Sequence, residues 1–243
     1  MTTDYKKVIT NKYSEEKIND DIANIYSVRN RIGFAQKVIL LEKMINIFNS
    51  ENLLFSNFSK VLDLGCGNGY WLREFAALKG STDGMYGIDL SSARLSYGEK
   101  INPGIKFMIG DMCNISFPDL TFDLVSAFVS LMFLIDDNSF SIAVSEIARV
   151  TKKGGYFLFY DKTSISINIS RDKRGFTYSE LKNKFQQYGF EVVQCRKVFK
   201  LLFISDRIST AYLGNVLPLF ILLLIEKMFF LPSAYQFILF KKV

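Results

Sequence analysis

Val61-Leu62-Asp63-Leu64-Gly65-Cys66-Gly67-Asn68-Gly69 decides the fold of this chain. A short apolar run with one acidic residue inside it is followed by glycine at every second position, and a helical pattern opens at Tyr70. The run reads as a buried strand, and the glycines as the turn that hands it to the helix. Lacking a Cβ, glycine lets a ligand press against bare backbone. The helix N-terminus adds orphan N–H donors and the positive end of its dipole. The turn is a predicted ligand site.

Outward from this turn the chain alternates. Strands are predicted near Lys60 to Leu64, Met85 to Asp89, Lys106 to Gly110, Phe122 to Phe128, Tyr156 to Asp161 and Glu191 to Phe199. Helical spacing marks Tyr70 to Lys79, Ser92 to Lys100, Ser139 to Val150 and Tyr178 to Tyr188. Such alternation specifies an α/β fold with a parallel sheet covered on both faces, and ligands there lie beyond the carboxyl ends of the strands. Upstream, Ile18, Ile22, Ile25 and Tyr26, then Val38, Leu41, Ile45 and Phe48, recur at helical spacing. The expected organisation is one domain: an N-terminal helical cap over residues 1–50, a core over 51–200, and an apolar helical insert with a closing strand over 201–243. Residues Leu213 to Leu231 are strongly apolar, but Glu226-Lys227 interrupts them short of the about 20 residues a membrane span needs. They read as a helix covering the core or the active site, with an interfacial helix touching lipid as the alternative. Tyr235 to Lys241 reads as the final strand.

Composition narrows the function classes. At 243 residues and 49% hydrophobic the chain can bury one substantial core. The formal charge of +6 and pI near 9.1 come from scattered Lys and Arg, so no nucleic-acid partner is expected. Three widely spaced cysteines support neither a disulfide framework nor a zinc site. With no histidine, Ser-His-Asp catalysis and His-based metal sites are excluded, and no metal is expected. The polar N-terminus places the chain in the cytoplasm, with a membrane-peripheral position as the alternative.

Three acidic residues stand at or near the ends of consecutive strands. Asp89 follows the last glycine by about twenty residues, where a carboxylate can accept ribose hydroxyl protons. Asp111 closes the third strand, placed for the exocyclic amine of a base. Asp63 lies inside the first strand. The series Val-Leu-Asp-Leu-Gly-Cys-Gly-Asn-Gly, Gly-Ile-Asp-Leu-Ser, Gly-Asp-Met, Phe-Asp-Leu-Val and Arg-Val-Thr-Lys-Lys-Gly-Gly, spanning Lys60 to Asp161, resembles the class I S-adenosylmethionine-dependent methyltransferases. The resemblance implies a three-layer, Rossmann-like, seven-stranded sheet with an antiparallel last strand, N-terminal helices, and a helical insert before that strand. It implies S-adenosylmethionine as cofactor, with the Gly65, Cys66, Gly67 and Gly69 turn against the methionine part and Asp63 holding its amino group through the loop. By the same resemblance Asp89 and Leu90 lie at the ribose, Asp111 and Met112 flank the adenine, and Phe128 sits beside the sulfonium.

A nicotinamide oxidoreductase is the rival, because Tyr178 and Lys182 have the spacing short-chain dehydrogenases use. The glycines run G-x-G-x-G rather than G-x-G-x-x-G, which favours the methyltransferase and leaves Tyr178 and Lys182 an ordinary helix face. Methyl transfer depends on positioning, although a sugar hydroxyl needs a base to take its proton. Asp161 is the candidate base at the end of the fifth strand, with Asp136 and Asp137 behind it. Arg171 and Arg174 are candidates to clamp a phosphate or carboxylate, and Tyr26, Arg29 and Arg31 to fold over the cofactor. The expected function is methylation, at oxygen, of a small molecule or sugar-containing precursor, on the pattern of methyltransferases of surface-polysaccharide biosynthesis. A quinone or lipid methyltransferase with its apolar tail at the membrane, and a non-catalytic cofactor-binding protein, are the alternatives.

Overall fold

The computed structural model describes residues 31–163, 167–169, 173–198 and 235–243, together with Lys6, Ile221 and Leu224. Helix α1 (Arg31–Ser50) precedes the sheet, and β1 (Val61–Leu64) leads through the glycine turn into α2 (Tyr70–Lys79). There follow β2 (Met85–Asp89), α3 (Ser92–Ile101), β3 (Lys106–Ile109), β4 (Phe122–Phe128) and a 3-10 turn (Leu131–Phe133). Then come α4 (Asp137–Val150), β5 (Thr151–Lys162), a two-stranded ribbon of β6 (Asn168–Ile169) and β7 (Arg174–Gly175), and α5 (Tyr178–Gln187). Strands β8 (Phe190–Val198) and β9 (Tyr235–Lys242) complete the sheet.

The seven strands run in the order β3-β2-β1-β4-β5-β9-β8, and β9 is antiparallel to both of its neighbours. The expected fold class is therefore present, closing strand included. The cap around Ile18 to Tyr26 and the apolar stretch 213–231 lie outside the described residues, apart from Ile221 and Leu224. No helix among the described residues is long and apolar enough to cross a membrane.

Alternation of side chains along buried strands builds two cores, one on each face of the sheet. Val61, Leu124, Leu158 and Leu239 face α1, α2 and α3, meeting Leu40, Met44, Leu72, Phe75 and Leu95. Leu62, Leu64, Val125, Phe157 and Phe240 face α4 and α5, meeting Phe140, Val144, Ile147, Leu181 and Phe185. Helix ends are set by local chemistry. The Asp136 carboxylate accepts from Ser139 N–H at 2.8 Å to start α4, and Thr177 with Glu180 forms a capping box at α5. Strand β5 begins at Thr151, five residues earlier than the periodicity suggests, because Phe122 pairs with Thr151 before the register shifts to Leu124 and Tyr156.

Candidate active site

Strand order reverses between β1 and β4, so the crevice at their carboxyl ends is the expected ligand position. The glycine turn fills one side of it. Gly65 and Cys66 N–H groups both donate to the Ile88 carbonyl, at 2.8 and 3.0 Å, which fastens the turn to β2. Gly65 has φ +68, and a Cβ there would lie 2.6 Å from the Ser130 Cβ. Gly67 has φ +56, and a Cβ there would lie 2.5 Å from Arg94 Nη2. At Gly65 only glycine meets both the torsion and the space, while at Gly67 the torsion favours glycine and Arg94 would have to swing aside. Helix α2 opens on Gly69 without a side-chain cap.

Asp89 holds this turn from below. Its Oδ2 accepts from Gly67 N–H and its Oδ1 from Ser91 N–H, both at 2.8 Å, and the residue is only 6% exposed. Each carboxylate oxygen keeps lone-pair capacity for a further donor. Asp111 accepts from Cys113 N–H at 2.9 Å and pairs with Lys6 at 2.7 Å. Leu90 and Met112 are half-buried beside these two acids.

Asp63 and Ser126 are register partners on β1 and β4, and the buried Ser126 hydroxyl donates to Asp63 Oδ1 at 2.7 Å. Burial pushes the Asp63 carboxyl up to about 7; the Ser126 hydrogen bond opposes the shift and the nearby Asp89 charge adds to it. Asp161 is likewise pushed to about 7 by burial, against the N–H groups of Lys162 and Met132. Both groups hold their proton to higher pH in the folded chain than in the unfolded one. The folded state therefore binds more protons between about pH 4 and 7, and stability falls as pH rises through that window. Asp63→Asn keeps the acceptor for Ser126 and removes one of the two titrations. Denaturant unfolding at pH 5 and pH 8 is expected to show a smaller loss for the variant than for the parent; an unchanged loss would contradict the assignment.

On the other side of the crevice, Phe128 ends β4 and stacks on Trp71 at 4.5 Å between centroids, with Tyr160 and Phe237 within 6 Å. The Ser130 hydroxyl donates to the Leu64 carbonyl at 2.7 Å, tying the end of β4 to the end of β1. Asp161 is fully buried, its oxygens accepting from Met132 N–H at 2.9 Å and Lys162 N–H at 2.7 Å. Partial burial resists ionisation of Asp136, but N–H donors including Ser139 outweigh it and hold the carboxyl below its usual range. Arg174 is 2% exposed, pairs with Asp137 at 2.6 Å and with Glu180, and packs over the Phe140 and Phe176 rings. Tyr26, Arg29 and Arg171 lie outside the described residues, and Arg31 is described in its backbone alone.

The structure thus brings Asp63, Gly65, Cys66, Gly67 and Asp89 together, with Asp111 at the neighbouring strand end. Tyr178 and Lys182 are exposed on α5, which packs on β8 at the far end of the sheet from β1. Sequence reasoning missed Ser126, Ser130 and Trp71. The one available signal was a serine at matched depth in the strand beside Asp63, and it becomes readable once the register is known.

The donor set fits a nucleoside carrying an amino acid: a close-packed glycine turn, a carboxylate pinned by the N–H groups of Gly67 and Ser91, and a buried acid behind the turn. Comparison with known proteins agrees. A family model described as a methyltransferase domain matches residues 61–155. The malonyl-[acyl-carrier protein] O-methyltransferase of Buchnera aphidicola subsp. Baizongia pistaciae is 34% identical over 114 residues, covering 47% of this chain and 43% of the relative. The demethylmenaquinone methyltransferase of a Geobacillus strain is 35% identical over 101 residues, covering 40% and 42%. The chain thus spans less than half the length of these two relatives. A crystal structure of an S-adenosylmethionine-dependent methyltransferase from Mesorhizobium loti shares the fold, with TM-score 0.54, 17% identity, and coverage of 75% of this chain and 90% of that one. Glycine turn, acid series, strand order and matched domain converge: residues 61–155 match a methyltransferase domain, and the sheet around them has the fold of S-adenosylmethionine-dependent methyltransferases.

Proposed function

We propose that this protein transfers a methyl group from S-adenosylmethionine to an oxygen of a small molecule, and that the acceptor is a carboxylate of acyl type. The Gly65 to Gly69 backbone and Asp63 would hold the amino-acid part of the cofactor, Asp89 its ribose hydroxyls, and Asp111 with Met112 its adenine. When bound, the cofactor supplies an electrophilic methyl on a sulfonium, open to in-line displacement. The protein's contribution is to hold acceptor and methyl in near-attack geometry and to exclude water.

The observation that carries the acceptor class is the state of the carboxylates at the sheet's carboxyl edge. Asp63 and Asp161 are buried, Asp89 is engaged by two backbone N–H groups, and Asp136 caps α4. We read Asp161 and Asp136 as holders of backbone rather than as proton acceptors. A sugar hydroxyl must lose a proton as it attacks, whereas a carboxylate is already ionised at neutral pH. The malonyl-carrier relative is named for an O-methylation of this kind. The demethylmenaquinone relative supports a second reading, a quinone acceptor.

Incubation with methyl-tritiated S-adenosylmethionine and, in parallel, octanoate, reduced demethylmenaquinone or UDP-glucose separates these readings. The expected label is on octanoate and is released by mild base, as a methyl ester requires. Base-stable label on the quinone or the sugar nucleotide would overturn the carboxylate assignment in favour of that acceptor.

A further inference from the structure

We propose that Val129 is a specificity-determining residue of the methyl-transfer site, held in a strained backbone state so that its isopropyl group walls the crevice beside the transferring methyl. The inference rests on the methyltransferase reading above. It starts from an anomaly of burial. From Leu124 to Met132 every residue is buried except Val129, which is 37% exposed. A branched apolar side chain reaches open space in the middle of a core segment, so packing does not account for it.

The backbone makes the position more costly still. Val129 has φ +53. The left-handed region is unfavourable for any residue with a Cβ and worst for a β-branched one, whereas glycine or asparagine would occupy it with little strain. The strain persists because both sides of the residue are clamped. Val129 N–H donates to the Tyr160 carbonyl at 2.7 Å, and the next residue, Ser130, donates its hydroxyl to the Leu64 carbonyl at 2.7 Å. These two bonds fasten the turn to β5 on one side and to the strand that carries the glycine turn on the other. Val129 therefore stands between the cofactor cradle and the end of β5, where acceptor and methyl must meet. Strain at a residue left 37% exposed, enforced from both sides at such a place, is the pattern expected of a functional residue.

Leu120 supplies the control. It has the same φ, +53, and is 46% exposed, but lies at the opposite end of β4. Asparagine at either position should relieve the torsion and raise Tm by about 2–4 °C. The two variants should part company in cofactor binding, measured by calorimetry with S-adenosylmethionine and S-adenosylhomocysteine, which differ by the methyl and the sulfonium charge that carries it. Val129→Asn is expected to weaken S-adenosylmethionine about fivefold relative to S-adenosylhomocysteine, by removing apolar contact with the methyl. Leu120→Asn and the conservative Val129→Ile should leave that ratio unchanged. A Tm for Val129→Asn that stays level or falls, including failure to fold, overturns the strain argument. A ratio that does not move, or that moves equally in Leu120→Asn, overturns the placement beside the methyl. If the parent protein binds neither compound, the methyltransferase reading itself fails, an outcome distinct from both.

Discussion

Asp89→Ala is expected to weaken S-adenosylmethionine binding by about 100-fold while leaving the protein folded. The carboxylate accepts from Gly67 and Ser91 N–H groups at 2.8 Å, so it positions the turn as well as presenting acceptors for the ribose. Hydrogen bonds to a charged group contribute about 1.5–3 kcal/mol each, and a buried donor left without its acceptor carries a further desolvation cost. A net loss of about 3 kcal/mol in binding corresponds to about 100-fold in Kd. Asp89→Asn, which keeps one carbonyl oxygen, should fall between parent and alanine variant. Calorimetric titration measures both. An alanine variant with parental affinity and an altered melting temperature would make Asp89 a purely structural residue.

Gly65→Ala is expected to lower Tm by about 10 °C and to abolish measurable cofactor binding. Two costs add. The torsion, φ +68, costs a residue with a Cβ about 1–2 kcal/mol. The new methyl would meet the Ser130 Cβ at 2.6 Å, an atom fixed to the backbone that cannot swing aside. Displacing Ser130 breaks its hydrogen bond to the Leu64 carbonyl, worth about 1 kcal/mol. A total near 3 kcal/mol corresponds to about 6–12 °C in a domain of this size. Gly80→Ala calibrates the reading, because Gly80 has φ +78 with nothing within 4 Å of a Cβ. It should lose only the torsional part, about 2–8 °C. Equal losses at the two positions would show that crowding by Ser130 is absent.

The fold was legible because its signals are local. The apolar run before Gly65, the glycine turn and the regular alternation each act over a few residues, and together they leave a parallel sheet as the answer. The candidate cofactor residues were legible for a related reason. Strand ends in a parallel sheet collect at one edge, so acids at three strand ends become neighbours without any knowledge of contacts. What escaped was every feature that depends on a partner distant in the chain. Ser126 is an unremarkable strand serine until the register sets it opposite Asp63, 63 residues away. Arg174 looked like a loop cation; its ion pairs with Asp137 and Glu180 and its burial against Phe140 and Phe176 come from the docking of α5 against α4.

The sequence alone determined the element order, the glycine turn and the chemistry of its neighbours, because torsional preference and apolar periodicity are properties of a residue and its near neighbours. Tertiary structure alone decided which of those groups are charged, reachable or strained. Burial raises Asp63 and Asp161, and clamping by β1 and β5 forces Val129 into a torsion its side chain disfavours. Solvation and steric closure are set by whatever packs against a residue, and that is settled only when distant segments meet.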